Sequence, residues 1–312
     1  MNTTAVVLNK PEELALASVS LKAASPADVV VETEWSGIST GTERLLYSGQ
    51  MPPFPGMGYP LVPGYETVGR IVEAGEASGR AVGERVYVPG ANCYENVRGL
   101  FGGAAARLVV GGDKVVPLGE SIAETGTLLA LAATAHHAIE SGDGQAPDLI
   151  VGHGVLGRLL ARLAVVRGGT PVVWERDARR MDGGDGYQVL QPDDDSRRDY
   201  RAIYDVSGAT GLLDTLIGRM APQGEIVLAG FYSQPVSFAF PPAFLKEMRL
   251  RVAAEWKRDD LLAAKAMVDA GSLRLEGLIS HCLEVEAAED AYRTAFEDPA
   301  CLKMILNWRA KQ

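Results

Sequence analysis

The chain has 312 residues, 47% hydrophobic and 22% charged, more than one core usually organises, so two domains are expected. Its 40 acidic against 30 basic residues leave a net charge of −10, which repels phosphate backbones and anionic bilayers and argues against a nucleic-acid partner. Cys93, Cys282 and Cys301 are odd in number and never spaced C-x-x-C, so neither a disulfide framework nor a zinc knuckle is indicated. No apolar run reaches membrane-span length, and "MNTTAVVLNKPEEL" has neither the basic start nor the apolar core of a signal peptide. A cytoplasmic protein without a transmembrane segment is expected.

From residue 1 to about 117, short β-type runs alternate with turn signals: "TAVVL", "DVVVETEW", "TVGRIVEAG", "ERVYV", "ARLVV" and "DKVVPL". This spacing predicts a small all-β unit. Two stretches within it, 36–64 and 89–103, are rich in Gly, Pro and aromatics and are expected to be loops. Residues 120–142 read as a helix stopped by "SGDG". The chain then alternates: "DLIVGHGVLGRLLARLAVVRGG" as strand, Gly turn and helix, "PVVWERD" as strand, "RAIYDVSGATGLLDTLIGRMAPQG" as strand then helix, and "EIVLAGF" and "RLRVAAEW" as strands. Such alternation predicts an α/β fold with a parallel sheet covered on both faces. The last segment predicts two amphipathic helices and a closing strand, with His281 opening a strand of its own. Asp193, Asp194 and Asp195 read as a solvated loop. His136 and His137, about 100° apart on a helix, read as ordinary polar positions that do not share a ligand site.

"IVGHGVLG" sets Gly152, Gly154 and Gly157 as G-x-G-x-x-G between a strand and a helix. The turn from Gly152 through His153, Gly154, Val155 and Leu156 to Gly157 is expected to cradle a pyrophosphate at the helix N-terminus. Glu175 ends the next strand, where an acid accepts hydrogen bonds from an adenosine ribose and disfavours a 2′-phosphate. NAD is therefore expected over NADP, with the neighbouring Arg176 moderating the preference. After Glu175, "RDARRMDGGDGYQVL" is too short and Gly-rich for a full helix, so about one turn is predicted around Ala178 to Met181.

These parts, with "PGYETVGRIVEAG", "GGAAARLVV", "TLLALAATAHHAI" and "ISHCLEVEAAEDAYRTAF", resemble medium-chain dehydrogenases across the whole chain. The resemblance implies a GroES-like catalytic domain at 1–117 and 268–312, a doubly wound Rossmann NAD-binding domain at 118–267, and a cofactor between them. It adds Thr134 and Ser207 to the cofactor-binding set and makes a homodimer the family habit. The zinc ligands of that family are missing: Ser39 stands where a cysteine falls, Tyr65 replaces the His of P-G-H-E, and no Cys or Asp appears near Ala130. One remaining carboxylate, Glu66, is not a zinc site, so no metal is expected.

"SGISTGTERLLYSGQMPPFPGMGYPLVPGYETVG", "GANCYENVRGLFGGAA" and "VVWERDARRM" resemble the zinc-free branch of the family that serves bacteriochlorophyll synthesis. That implies NAD-linked oxidation of a 3-(1-hydroxyethyl) group on a chlorin pigment to an acetyl group. By family position Tyr65, Ser39, Thr42 and Glu66 are the catalytic candidates, with Tyr65 the one to hydrogen-bond the alcohol. A flat apolar ligand with an ionised propionate needs aromatic walls and a few placed charges. Phe54, Tyr59, Tyr94, Phe231 and Tyr232 are the candidate walls, and Arg44 and Arg98 the candidate cations. Two other readings compete: a zinc-free NADPH-dependent quinone or enoyl reductase, and a cofactor-binding relative without turnover.

Overall fold

A computed structural model describes residues 1–309. The chain runs β1 (Asn2–Lys10), β2 (Glu13–Ser20), β3 (Asp28–Gly37), helix α1 (Thr42–Ser48), β4 (Leu61–Val62), β5 (Thr67–Ala74), β6 (Arg85–Val88), β7 (Arg98–Gly99), β8 (Arg107–Gly111) and β9 (Val116–Pro117). A 3-10 segment, Ala123–Leu128, and α2 (Leu129–Glu140) follow. Then come β10 (Leu149–Val151), α3 (Val155–Val166), β11 (Val172–Trp174), β12 (Gln188–Leu190), β13 (Tyr200–Asp205), α4 (Leu213–Arg219), β14 (Met220–Leu228), α5 (Phe240–Leu245), β15 (Arg249–Val252) and α6 (Arg258–Asp269). The chain closes with β16 (His281–Glu284), α7 (Ala288–Glu297) and β17 (Met304–Asn307).

Two compact units result: Met1–Ala130 together with the segment from Glu276 on, and Leu131–Leu275. The first border falls later than the expected 117/118, because the 3-10 segment lies against β3 and β5 and so joins the β-rich unit; the second falls at 275/276, not 267/268. In that unit, β2-β1-β4-β7 form one sheet and β16-β17-β3-β5-β6-β9 the other, with β8 also paired to β3. β3 is buried along most of its length, consistent with its Val29-Val30-Val31 run and neighbours on both sides. α7 buries Ala288, Ala291, Tyr292 and Ala295, the i, i+3, i+4, i+7 stripe of an amphipathic helix. β17 returns antiparallel to β3, Leu306 opposite Ser36, and this return brings Lys303 next to the site described below. Several elements escape the sequence pattern: β2 forms from "ELALASVS", α1 and β4 interrupt the first stretch expected to be loop, and β7 the second.

The second unit carries a six-stranded sheet, β12-β11-β10-β13-β14-β15, parallel throughout. Numbered within the unit this is the order 3-2-1-4-5-6 of the dinucleotide-binding fold; the alternating text predicts the parallel sheet but not its edge strand β12. Its core joins Leu149, Val151, Ile203, Ile226 and Leu228 with Leu213, Leu216 and Ile217 of α4. Between β11 and β12 there is one 3-10 turn, Ala178–Arg180, capped by the Asp177 side chain. This matches the expected economy.

Two polar readings are corrected. Asp195 is buried, not solvated: it accepts from Trp174 Nε1 at 2.7 Å, the Tyr200 hydroxyl at 2.7 Å and the Arg197 amide at 2.8 Å, and these bonds offset the cost of desolvating it. His136 and His137 do share a partner, their Nδ1 atoms lying 2.9 and 2.8 Å from the two oxygens of Asp260. One carboxylate offers an oxygen to each ring, so a separation along the helix does not keep them apart. Among the described residues, no helix is long and apolar enough to cross a membrane.

Candidate active site

Tyr65 follows the β4 turn, and its hydroxyl donates to Ser39 Oγ at 2.7 Å and lies 3.4 Å from Thr42 Oγ1. Ser39 Oγ also accepts from the Thr42 amide at 3.3 Å. Three of the four expected catalytic residues thus form one hydroxyl cluster. Phe101 meets the Tyr65 ring edge-on at 5.5 Å between centroids, and the Tyr87 hydroxyl donates to the Tyr65 carbonyl at 2.7 Å. Burial, reinforced by the charge of Glu66, raises the Tyr65 phenol above its ordinary range. At neutral pH it is therefore a hydrogen-bonding hydroxyl and not a base.

The fourth, Glu66, is corrected. It is fully buried, and its Oε2 is held by the Lys303 ammonium, which also donates to the Ile38 carbonyl at 3.0 Å. A group so enclosed supports the site from beneath. The backbone comes unusually close here: a Cβ on Gly37 would sit 2.2 Å from Glu66 Oε2. Beside this pair lies Glu43, 1% exposed, accepting from the Ser39 amide at 3.1 Å and from the Tyr292 hydroxyl at 2.5 Å. Burial pushes its carboxyl up to about 7. Glu43, Tyr292 and Lys303 were missed from the sequence. A weak signal existed for the first, since "TGTE" is the S/T-x-x-E pattern of a helix N-terminus. Tyr292 and Lys303 meet their partners across 249 and 237 residues, beyond any local pattern.

The donor set does not suit zinc. Hydroxyls stand where thiolate and imidazole are preferred, the Glu66 carboxylate is taken by Lys303, and among the described residues no group of three or more His, Cys, Asp or Glu could hold a metal ion.

The glycine turn, by contrast, fits a dinucleotide. Gly152 has φ of 106°, and a Cβ on Gly157 would meet the Gly152 carbonyl oxygen at 1.9 Å, so the helix lies directly on the strand. A Cβ on Gly154 would meet nothing within 4 Å, which leaves open space at the start of α3, where backbone N–H groups are free for phosphates. Val155 and Leu156 form the first turn of α3. Glu175 accepts from the His153 amide at 3.1 Å and from the Arg176 and Asp177 amides at 2.7 and 2.9 Å, which fixes it at the end of β11. Ser207 stands just beyond β13, bonded to Asp205 at 2.6 Å, and Thr134 is half-buried on α2. The His153 ring does something the sequence did not suggest. It is buried between the Arg180 carbonyl, 2.6 Å from Nδ1, and the Tyr187 hydroxyl, 2.8 Å from Nε2, so it braces the shortened crossover. Burial pushes this imidazole down to about 4.

The expected substrate-binding residues divide. In the first unit Arg44, Phe54 and Arg98 are exposed and Tyr59 is half-buried, with Arg98 donating to the Tyr59 carbonyl at 3.2 Å. In the second unit Phe231 is exposed, and the Tyr232 hydroxyl donates to the Asp205 carbonyl at 3.1 Å. Tyr94 is corrected: it is 2% exposed and its hydroxyl donates to the Gly102 carbonyl at 2.5 Å, so it is a core residue. Alternation in "NCYENV" cannot be read where the strand is a single bridge, Leu21 to Tyr94.

A β-rich unit completed by the C-terminal strand, joined to a parallel sheet with a glycine turn, is the architecture of a medium-chain dehydrogenase. Residues 25–120 match the alcohol dehydrogenase GroES-like domain. The chain is 55% identical, over 99% of both sequences, to the 2-desacetyl-2-hydroxyethyl bacteriochlorophyllide A dehydrogenase of Cereibacter sphaeroides. It belongs to that family of medium-chain dehydrogenases. Among solved structures it is similar to an E. coli CFT073 alcohol dehydrogenase complexed with NADH, with a TM-score of 0.83 at 21% identity, covering 98% of this chain and 99% of that one. It is also similar to a Sinorhizobium meliloti 1021 protein bound to NADP, with a TM-score of 0.82 at 20% identity and coverage of 98% and 99%. At such identities the likeness concerns the fold, and the choice between the two cofactors lies with the residues after β11.

Proposed function

We propose that the chain oxidises the 1-hydroxyethyl group of a bacteriochlorophyllide to an acetyl group, with NAD as hydride acceptor and without a metal. The observation that carries this reading is 55% identity along 99% of the chain to a relative whose name states the substrate. The reaction converts a secondary alcohol and oxidised cofactor into a ketone, reduced cofactor and one proton. When bound, the nicotinamide supplies the hydride acceptor. Ser39, Thr42 and Tyr65 hold the alcohol by donating to and accepting from its hydroxyl, and pass its proton towards water. Because the carbinol carbon adjoins a conjugated macrocycle, positive charge developing on it spreads into the ring. Much of what a Lewis acid would contribute then comes from the substrate.

Glu175 supports NAD, since a carboxylate there repels a 2′-phosphate, while the exposed Arg176 moderates the preference. Phe54, Tyr59, Phe231 and Tyr232 are proposed to face the chlorin, and Arg44 or Arg98 its propionate. A homodimer is proposed through the open edge of β15, where Leu250 is 40% and Val252 73% exposed; sedimentation of wild type against Val252→Lys tests it. A cytoplasmic location accords with the acidic composition and with the lack of a membrane-spanning helix among the described residues.

The deciding experiment mixes chelator-treated protein with NAD and 3-hydroxyethyl bacteriochlorophyllide and follows NADH and the red-shifted acetyl product. Turnover is expected, and Tyr65→Phe should slow it. No turnover with this alcohol but NADPH oxidation with quinones would make the chain a reductase, and cofactor binding without turnover would make it a non-catalytic relative. An unconjugated secondary alcohol of similar size should react far more slowly. Equal rates would refute the role given to the macrocycle.

A further inference from the structure

Beneath the hydroxyl cluster, two buried carboxylates share one buried ammonium. Lys303 is bound to Glu66, whereas Glu43 has neutral partners, the Ser39 amide at 3.1 Å and the Tyr292 hydroxyl at 2.5 Å. Glu43 lies in the first turn of α1 and reaches back to the residue that receives the Tyr65 hydrogen bond. The ionisable groups facing it are Tyr292 from α7, Glu66 and Tyr65 from the turn before β5, and Lys303 from the approach to β17. With every group ionised but the tyrosines, the cluster carries one net negative charge, two carboxylates against one ammonium.

We propose that Glu43 is a positioning residue: ionised, it fixes the Ser39 turn, and through it the Tyr65–Ser39–Thr42 hydroxyls, in the geometry that receives the alcohol. Protonated, it loses the charge that strengthens both hydrogen bonds, and one of its oxygens becomes a donor. The ionised form also sets an uncompensated negative charge near hydroxyls that must pass on a proton and a carbon that gains positive character. Burial and Glu66 push the carboxyl up while Tyr292, the Ser39 amide and Lys303 pull it down, and the balance falls at about 7. Glu43 is therefore set to change state within the physiological range. This inference rests on the alcohol-oxidation reading only for its kinetic part.

The test has two readouts on the full chain. The first needs no substrate: the Ser39 amide resonance, followed by NMR against pH in wild type, Glu43→Gln and Tyr292→Phe. It should move with a midpoint near 7 in wild type, stay flat in Glu43→Gln, and move at higher pH in Tyr292→Phe, which loses a bond that favours the anion. The second is kcat/KM for alcohol oxidation. Wild type should lose about tenfold between about pH 8 and about pH 6. Glu43→Gln, uncharged like the protonated acid but still able to accept from Ser39, should lose that inflection and stay at every pH near the wild-type rate at about pH 6, about tenfold below wild type at about pH 8. Glu43→Ala, which cannot accept from Ser39, should be slow at every pH. A flat Ser39 amide in wild type overturns the positioning whatever the substrate, and identical pH profiles in wild type and Glu43→Gln overturn its part in the reaction. Absence of turnover in wild type beside a titrating Ser39 amide fails the substrate reading and supports the positioning.

Discussion

Replacing Lys303 by Met should be among the most destabilising single changes in the β-rich unit. Lys303 is 2% exposed and Glu66 0%, and the ammonium bonds both Glu66 Oε2 and the Ile38 carbonyl. Glu66 Oε1 already lacks a hydrogen-bond partner. Without Lys303 the whole carboxylate is buried with nothing to compensate it, a change that costs about 3–5 kcal/mol. At about 2–4 °C per kcal/mol for a domain of this class, the unfolding midpoint should fall by roughly 6–20 °C, measured by circular dichroism near neutral pH. Adding Glu66→Gln should recover much of the loss, because a neutral amide is cheaper to bury than an unpaired charge. A loss below about 1 kcal/mol, or a double variant no better than the single one, would show that this pair does not support the site as argued.

Three further outcomes follow from the second unit. Gly157→Ala forces a methyl to within 1.9 Å of the Gly152 oxygen and should lower both stability and NAD affinity, whereas Gly154→Ala, facing open space, should fold normally and lose NAD affinity by at least about tenfold in calorimetry. Asp195→Ala strands the Trp174, Tyr200 and Arg197 donors and should cost about 2–4 kcal/mol in urea unfolding; an effect near zero would return Asp195 to the solvated loop. His153 is held near 4 in the folded chain against an ordinary 6.5. Its neutral form thus contributes stability that is complete above the ordinary value and is lost as pH falls from there towards 4, so His153→Gln should flatten that part of the stability profile. An unchanged slope would count against the bracing role.

The local text made much of this fold legible. The glycine turn, the Glu175 that closes β11 and the single turn after it are written in short-range spacing, because a phosphate cradle needs particular backbone conformations at fixed offsets. The Ser39, Thr42 and Tyr65 cluster was also legible, through its position in a family frame. Tyr94 and Asp195 were misread for one reason. Burial of a single side chain depends on what the chain brings over it, and neither an isolated bridge nor an acidic run records that.

By itself the sequence determined the two-part α/β organisation, the cofactor turn and the hydroxyls in place of zinc ligands. Only the tertiary structure decided what lies beneath those hydroxyls. Glu66 is paired with Lys303 and Glu43 with Tyr292 because the C-terminal segment returns to β3. Contacts closed across more than two hundred residues are set by the sheet they complete and leave no periodic trace in the chain.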